Sequence, residues 1–177
     1  MTVTLSDTPV LATERLTLRA PVAEDWPYWC DFALSDRARF VRSTEPSEAN
    51  AWRAFGHMIG HWVLRGYGMF VVTRRGGDVP LGAAGPWYPA GWAEREIGWT
   101  LWSEEAEGQG IATEAARASR TFAYDTLGWT TAVSYIHPDN AASVAVAERL
   151  GASRDGSAET AGDDTRVYRH PAPEVLA

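Results

Sequence analysis

The chain has 177 residues, of which 45% are hydrophobic and 22% charged, and these proportions suit a single folded domain rather than a disordered segment. A formal net charge of −7 excludes a basic field over the whole protein that could hold nucleic acid, and it favours a cationic acceptor. The one cysteine, Cys30, excludes an internal disulfide and a multi-cysteine metal site, and its apolar helical setting predicts an unreactive core residue. The N-terminus lacks a secretory pattern, and no run reaches the ~18 apolar residues of a membrane span, so we expect a soluble, cytoplasmic protein.

The first half of the chain predicts a strand, two helices and a hairpin. Leu16 and Leu18 alternate with polar residues, as in a half-buried strand. Two segments with apolar residues at helical spacing follow, and a polar connection joins them. Two further strands meet at the turn Gly76-Gly77. These elements cover about 13–19, 24–35, 47–65, 69–73 and 80–85.

The second half alternates strands and helices. A strand leads into a glycine turn, an alanine-rich helix follows, and the chain then enters a parallel strand. This strand, helix, strand order implies a right-handed crossover inside an otherwise antiparallel sheet. The predicted elements are strands at 95–102, 131–136 and 165–169, and helices at about 111–127 and 140–150. We predict one domain over 1–177, with its core at about 13–169 and a frayed tail at 171–177.

The glycine turn predicts a phosphate site. Gly108 and Gly110 permit positive φ angles and a close approach of the backbone. The helix that follows presents free N–H groups and the positive end of its dipole, an arrangement that favours an anion. A Walker A loop needs Gly-Lys-Ser/Thr where this chain has Ile111-Ala112, and a dinucleotide fingerprint needs a small residue where Thr113 stands. Neither of these two classes fits.

His57 and His61 are four residues apart on the second predicted helix and could place two imidazoles on one face. Met58 stands where a zinc-protease helix has glutamate, and no third ligand is evident. We therefore predict no metal site.

Three motifs occur in order along the chain: Thr13-Glu14-Arg15-Leu16-x-Leu18-Arg19, Gly108-x-Gly110-Ile111-Ala112-Thr113-Glu114-Ala115, and Pro138-Asp139-Asn140-x-x-Ser143 with Glu148-Arg149-Leu150-Gly151. Together they resemble the GCN5-related N-acetyltransferases (GNAT), and within them the branch that includes the RimJ/RimL ribosomal-protein acetyltransferases. The resemblance implies an α/β fold with a mixed, mostly antiparallel sheet of about six to seven strands, a splayed V between two of them, and about four flanking helices.

The resemblance also implies acetyl-CoA as the donor, with its pyrophosphate on the amides of about 107–112 and its pantetheine arm paired in the V like an extra strand. Main-chain amides near Trp99 would polarise the thioester carbonyl. The implied cofactor-binding residues are Trp99, Thr100, Leu101, Glu107, Gly108, Gln109, Gly110, Ile111, Ala112, Thr113, Asn140 and Ser143.

Glu96 is the main candidate for the general base, because family members often carry a carboxylate here that acts through water. The alternative is a solvated or paired strand carboxylate, and Glu94 and Glu114 are further candidates for the base. Ser143 is the candidate proton donor to the departing thiolate, or else a hydroxyl bonded to a nearby carbonyl. Asn140 could bind the pantetheine arm, cap its helix, or do both.

The chain departs from the family pattern at Glu105 and Glu107, whose charges should repel a pyrophosphate unless they point away from it, and at Ala147, where many members have a tyrosine acid. The predicted function is acetyl transfer to a primary amine, on a protein N-terminus or a small molecule, by direct attack in a ternary complex without a metal. The alternatives are a catalytically weak acyl-CoA-binding or regulatory module, and an acyltransferase for another acyl-CoA such as succinyl-CoA. The aromatic residues of 87–92 would wall the acceptor site or form a homodimer contact.

Overall fold

The computed structural model describes residues 4–160, 162 and 164–176, and within them eight strands form one sheet. The strands are β1 Leu11–Ala12, β2 Leu16–Arg19, β3 Phe70–Arg74, β4 Pro80–Trp87, β5 Glu96–Leu101, β6 Val133–Ile136, β7 Ser153–Arg154 and β8 Arg166–Arg169. Their order across the sheet is β1-β2-β3-β4-β5-β6-β8-β7, and every pair is antiparallel except β5 with β6. The predicted mixed, mostly antiparallel sheet is confirmed.

Helices cover both faces of this sheet. They are α1 Trp26–Leu34, α2 Glu48–Arg65, α3 Ile111–Asp125, α4 Ala141–Arg149 and α5 Pro173–Leu176. Successive residues of β3 point to opposite faces, so Val71 packs against α1 and α2, whereas Phe70 and Val72 pack against α3. Because β3 is buried on both faces, it appears in the sequence as a continuous apolar run. Among the described residues, no helix is long and apolar enough to cross a membrane.

The differences from the predicted elements are short pieces of structure. The two-residue strands β1 and β7 and the single-turn helix α5 have no periodic signal, because a pattern of period 2 or 3.6 needs more residues than they contain. Helix α5 lies in the segment predicted to be frayed, and Ala177 is outside the described residues. Cys30 is partly exposed rather than fully buried, and burial raises the pKa of its thiol.

β5 and β6 separate almost as soon as they meet. In the described chain their parallel ladder consists of one residue pair, Glu96 with Val133, supported by the Val133 N–H, which donates to the carbonyl of Arg95 at 2.9 Å. Beyond that pair, the Ser134 hydroxyl donates to the carbonyl of Ile97 at 2.6 Å and replaces a ladder bond. The strands therefore form the splayed V that the resemblance implies, with Glu96 at its vertex.

A buried polar chain supports the vertex from behind. His170 Nε2 lies 3.0 Å from the Ser134 hydroxyl, and His170 Nδ1 lies 3.2 Å from Nη1 of Arg120, which also donates to the carbonyl of Leu150 at 2.6 Å. Burial, with a smaller effect from the charge of Arg120, lowers the pKa of His170 to about 3. The imidazole is therefore neutral, with Nδ1 accepting from Arg120 and Nε2–H donating to Ser134.

Candidate active site

A cleft of about 1640 Å³ opens beside the V. Six segments line it: residues 10–15, the connection between α1 and α2, the end of β5, the turn from Glu104 to Glu114, the rest of α3, and the first turns of α4. Its volume exceeds the roughly 300–1,000 Å³ of pockets that hold drug-sized ligands. The cleft therefore suits a long ligand that contacts several elements.

The glycine turn has the backbone of an anion site. Gly108 has a φ of 69° and Gly110 a φ of 75°, values that residues with a Cβ rarely adopt. Helix α3 begins directly after Gly110 without a side-chain cap, so its first amides are not covered by a side-chain oxygen. Thr113, in the first turn and on the cleft wall, has a buried hydroxyl with no hydrogen-bond partner among the described residues. Unused donors therefore gather where a phosphate would be stabilised.

The structure brings nearly all the predicted donor residues to this cleft. Trp99, Thr100 and Leu101 line it from β5, and Asn140 and Ser143 line it from α4. The turn contributes Glu107, Gly108, Gly110, Ile111, Ala112 and Thr113. Gln109 is not part of the wall, because its side chain is turned toward Arg74 and the carbonyl of Glu105.

Glu96 lies at the vertex of the V rather than on the cleft wall. Its Oε2 accepts a hydrogen bond of 2.8 Å from the indole N–H of Trp92. Burial raises the pKa of Glu96 to about 7, although the Trp92 N–H and the backbone N–H of Tyr135 favour the charged form. A carboxyl group with a pKa near neutrality can both accept and release a proton, as a general base must.

The other two candidate bases are held in ion pairs. Glu94 forms a bidentate ion pair with Arg169, whose Nη2 and Nη1 donate to Oε1 at 2.8 Å and to Oε2 at 2.9 Å. Burial of Glu114 is outweighed by hydrogen bonds from Thr13 and Arg15, which lower the pKa of its carboxyl. Both carboxylates are therefore engaged by fixed partners, which leaves neither oxygen pair open to an attacking amine.

Ser143 and Asn140 lie together at the start of α4. The Asn140 side-chain oxygen accepts from the Ser143 backbone N–H at 3.1 Å, so Asn140 caps the helix and keeps its amide NH₂ for another partner. The Ser143 hydroxyl accepts from the Trp99 indole at 3.3 Å, an arrangement that leaves its own proton to be donated elsewhere. Ala147 is fully buried against Tyr168, so no hydroxyl from position 147 reaches the cleft.

The two histidines of α2 have structural partners. Both ring nitrogens of His61 are used, at 2.7 Å from the carbonyl of Tyr67 and 3.0 Å from the backbone N–H of Tyr88. His57 packs edge-on against Trp87. Within residues 4–160, 162 and 164–176, no three His, Cys, Asp or Glu side chains are grouped so as to hold a metal ion.

The family model described as "Acetyltransferase (GNAT) domain" matches residues 15–153. The chain belongs to the GNAT family. That stretch contains the V, the glycine turn and the start of α4, and GNAT enzymes use acetyl-CoA as donor. No curated protein sequence matches this GNAT chain at a significant level.

Solved structures extend the similarity over nearly the whole chain. An acetyltransferase from Agrobacterium tumefaciens is 36% identical, with a TM-score of 0.87 and coverage of 96% of this chain and 98% of that one. RimL, the ribosomal L7/L12 alpha-N-protein acetyltransferase solved with coenzyme A, is 22% identical, with a TM-score of 0.68 and coverage of 92% and 96%. The ribosomal-protein-S5-alanine acetyltransferase from Vibrio fischeri is 14% identical, with a TM-score of 0.69 and coverage of 94% and 98%. At these lower identities the last two show a shared fold.

Three arginines hold the glycine turn of this GNAT domain, and sequence reasoning gave none of them that role. Arg15 donates to the carbonyl of Gln109 at 3.0 Å, and Arg74 donates to the Gln109 side-chain oxygen. Arg37 contacts Glu107, with Nε at 3.0 Å from its Oε1. Arg15 lies in the first motif, which gives a signal in the sequence. Arg37 and Arg74 are far from the turn in sequence, and only the tertiary fold brings them to it.

The charge of Glu107 is compensated by Arg37. The same guanidinium donates to the carbonyls of Leu101 at 3.1 Å and Trp102 at 2.6 Å, so it joins the end of β5 to the turn. Glu105 is exposed and is not part of the cleft wall. The two carboxylates that depart from the family pattern are thus paired or directed to solvent, and their repulsion of a bound pyrophosphate is reduced.

We predict that Arg37→Ala weakens CoA binding about five- to ten-fold, measured by titration calorimetry. The variant leaves Glu107 unpaired beside the cleft, and the pair is partly exposed, so a larger effect is not expected. Arg53→Ala, which removes an exposed arginine bonded to Asn50, serves as the control and should bind CoA like the wild type. Adding Glu107→Gln to Arg37→Ala should restore most of the affinity; no recovery in the double variant would show that repulsion by Glu107 is not the cause.

Proposed function

We propose that this protein is an N-acetyltransferase that moves an acetyl group from acetyl-CoA to a primary amine by direct attack in a ternary complex. The observation that supports it most strongly is the near-absence of a β5–β6 ladder directly beside an uncapped glycine turn. A strand-like donor with a phosphate at one end matches both features. The enzyme would be RimJ/RimL-like, and its acceptor would be a peptide N-terminus or a small-molecule amine.

The residues present fit the donor. The amides of 107–112 and the orphaned Thr113 hydroxyl would hold the pyrophosphate, and Asn140 would bind the pantetheine arm with its free amide NH₂. Ile111 and Ala112 would pack beside the arm without blocking it. Main-chain groups of Trp99, Thr100 and Leu101 along the V would supply strand-like hydrogen bonds, apart from the Leu101 carbonyl, which accepts from Arg37.

Acetyl-CoA supplies the acetyl group as a thioester. Main-chain amides near Trp99 to Leu101 stabilise the negative charge that develops on its carbonyl oxygen. Glu96 takes the proton from the attacking amine, directly or through water, as the new C–N bond forms. Ser143 would give its proton to the sulfur as the C–S bond breaks and regain a proton from solvent, to which Glu96 releases the one it took up. Because a CoA thiolate is a fairly good leaving group, this step does not depend on a tyrosine at position 147.

Thermal unfolding with CoA, acetyl-CoA and longer acyl-CoAs tests the donor. We expect acetyl-CoA at 100 times its Kd to stabilise the protein by about 2.7 kcal/mol, because it binds the folded state. AMP, which lacks the arm that fits the V, is the control and should stabilise it far less. The donor assignment is wrong if none of the acyl-CoAs raises Tm.

Release of the CoA thiol, followed with N-terminal peptides, polyamines, aminoglycosides and amino acids, tests the reaction. Acceptor-dependent release would support an enzyme. The buried Ala147 favours the second candidate, a binding or regulatory module without turnover. Stabilisation by acetyl-CoA without release for any amine would favour that module.

A further inference from the structure

The loop between β4 and β5, residues 88–95, is held across the vertex of the V by hydrogen bonds and an ion pair. At its C-terminal end the Glu94 carboxylate pairs with Arg169 on β8, and the Glu94 backbone N–H donates to the Tyr135 hydroxyl on β6 at 3.1 Å. Arg169 is itself held by Asp155, at 2.7 Å. One end of loop 88–95 is therefore bonded to the two strands beyond the opening, rather than to its own hairpin.

This fastened loop carries Trp92 to the carboxylate at the vertex. The indole ring meets Tyr135 edge to face, with centroids 6.1 Å apart, and its N–H donates to Glu96 Oε2 at 2.8 Å. An indole has one donor and no acceptor, so this bond fixes which carboxylate oxygen is engaged. The other oxygen, Oε1, lies beside Gly98, at 3.8 Å from the position that a Cβ on this residue would occupy. Any side chain at position 98 would therefore reduce the space next to Oε1.

We propose that Trp92 is a positioning residue for catalysis: its indole N–H engages Oε2 of Glu96 and holds the carboxylate at the vertex, where it accepts the proton of the amine. The inference rests on the proposed role of Glu96 as general base. It adds a residue from outside the three motifs to the reaction, and it gives loop 88–95 a function besides shaping the acceptor site.

Among the described side chains, Trp92 is the one that donates to the Glu96 carboxylate, because the charged and polar groups nearby are bonded to other partners. Glu94, on the same loop, is paired with Arg169 of β8, and Tyr135 of β6 uses its hydroxyl on the Glu94 backbone. His57 and His61 of α2 contact the ring of Trp87, which is the cross-strand neighbour of Glu96, so Trp87 lies between these histidines and Glu96.

No cationic side chain in the described residues bonds the Glu96 carboxylate. Burial raises the pKa of Glu96, and the Trp92 N–H, followed by the backbone N–H of Tyr135, opposes that rise. Removing the N–H should therefore raise the pKa further and leave less of the base deprotonated at neutral pH.

The pH dependence of kcat/KM for acceptor-dependent thiol release, from pH 5.5 to 9.5, tests the role in wild type and Trp92→Phe. Phenylalanine keeps an aromatic ring and lacks the donor. We expect the acidic limb to move up by about one pH unit, because a hydrogen bond to a charged group is comparable to one pKa unit. The deficit should be about ten-fold on the acidic limb and shrink toward pH 9. Trp52→Phe, an exposed tryptophan of α2, is the matched control and should keep the wild-type profile.

A second measurement does not depend on turnover. In protein labelled with ¹⁵N on its indoles, the Trp92 N–H resonance, identified by its loss in Trp92→Phe, should titrate with a midpoint near 7 in wild type. It should be flat in Glu96→Gln, which has no proton to gain.

The outcomes separate this inference from the proposed function. A flat wild-type resonance, or a loss of activity in Trp92→Phe that is equal at every pH, overturns the role of Trp92 even if Glu96→Gln is inactive and Glu96 is the base. Full activity of Glu96→Gln overturns the base itself and the positioning role with it.

Discussion

Replacing Glu96 by glutamine is expected to lower kcat for acetyl transfer by about 10²- to 10⁴-fold, the contribution of a positioned general base. Glutamine keeps the size of the side chain and can still accept from Trp92, so the vertex should remain intact. CoA binding should not change, because Glu96 is outside the cleft wall. Assays of CoA thiol release would measure kcat, and titration calorimetry would measure the affinity for CoA.

The wild-type pH profile should agree with that result. A base must be deprotonated to act, so activity should rise with pH through the pKa of Glu96, which burial raises to about 7. Glu96→Gln should lose this acidic limb along with most of its rate. Glu24→Gln, which removes an exposed carboxylate just before α1, is the matched control and should keep the limb. If a limb with its midpoint near 7 survives in Glu96→Gln, measured with an acceptor whose amine titrates well above pH 7, another group is the base.

Acidification is expected to unfold this protein through His170. An unfolded histidine takes up a proton near pH 6.5, whereas the folded state holds His170 neutral down to about pH 3. Between those values the unfolded state binds more protons, so stability is complete above about pH 6.5 and is lost as pH falls. The loss from this group is on the order of 4 kcal/mol by pH 3, enough to remove much of the stability of a typical domain.

Urea unfolding at pH 7, 6, 5 and 4 would measure the effect. His170→Gln should be less stable than wild type at pH 7, because it disturbs the bonds to Ser134 and Arg120, and its stability should depend less steeply on pH. His137→Gln, which changes a partly exposed histidine, should keep the wild-type slope. Equal slopes in wild type and His170→Gln would show that His170 does not control acid unfolding.

The parts of the fold that were predictable are those in which local pattern and local geometry agree. Alternation at Leu16 and Leu18, the caps Ser47 and Gly66 of α2, and the glycines before α3 each carry a signal within a few residues, and the helices and long strands follow it closely. The residues of the cleft wall were predictable through the resemblance, because the three motifs that carry it are short.

The rest depends on which strands become neighbours. Ser134 and His170 are 36 residues apart and meet because β6 pairs with β8; Arg37 and Glu107 are 70 apart and meet because the connection after α1 folds over the end of β5. Trp92 is four residues from Glu96, but its approach depends on the closure of loop 88–95 by Arg169. No periodicity reports such contacts, since each requires the assembled sheet.

The open V also creates two unpaired strand edges within the sheet, and free edges invite other chains to add to them and aggregate. Arg37 limits this hazard at the end of β5, where its guanidinium occupies the carbonyls of Leu101 and Trp102 that an incoming strand could otherwise use. β6 contributes an edge of four residues, which is short for stable pairing with another chain. The arginine that pairs with Glu107 beside the cleft thus also limits strand addition at the open V.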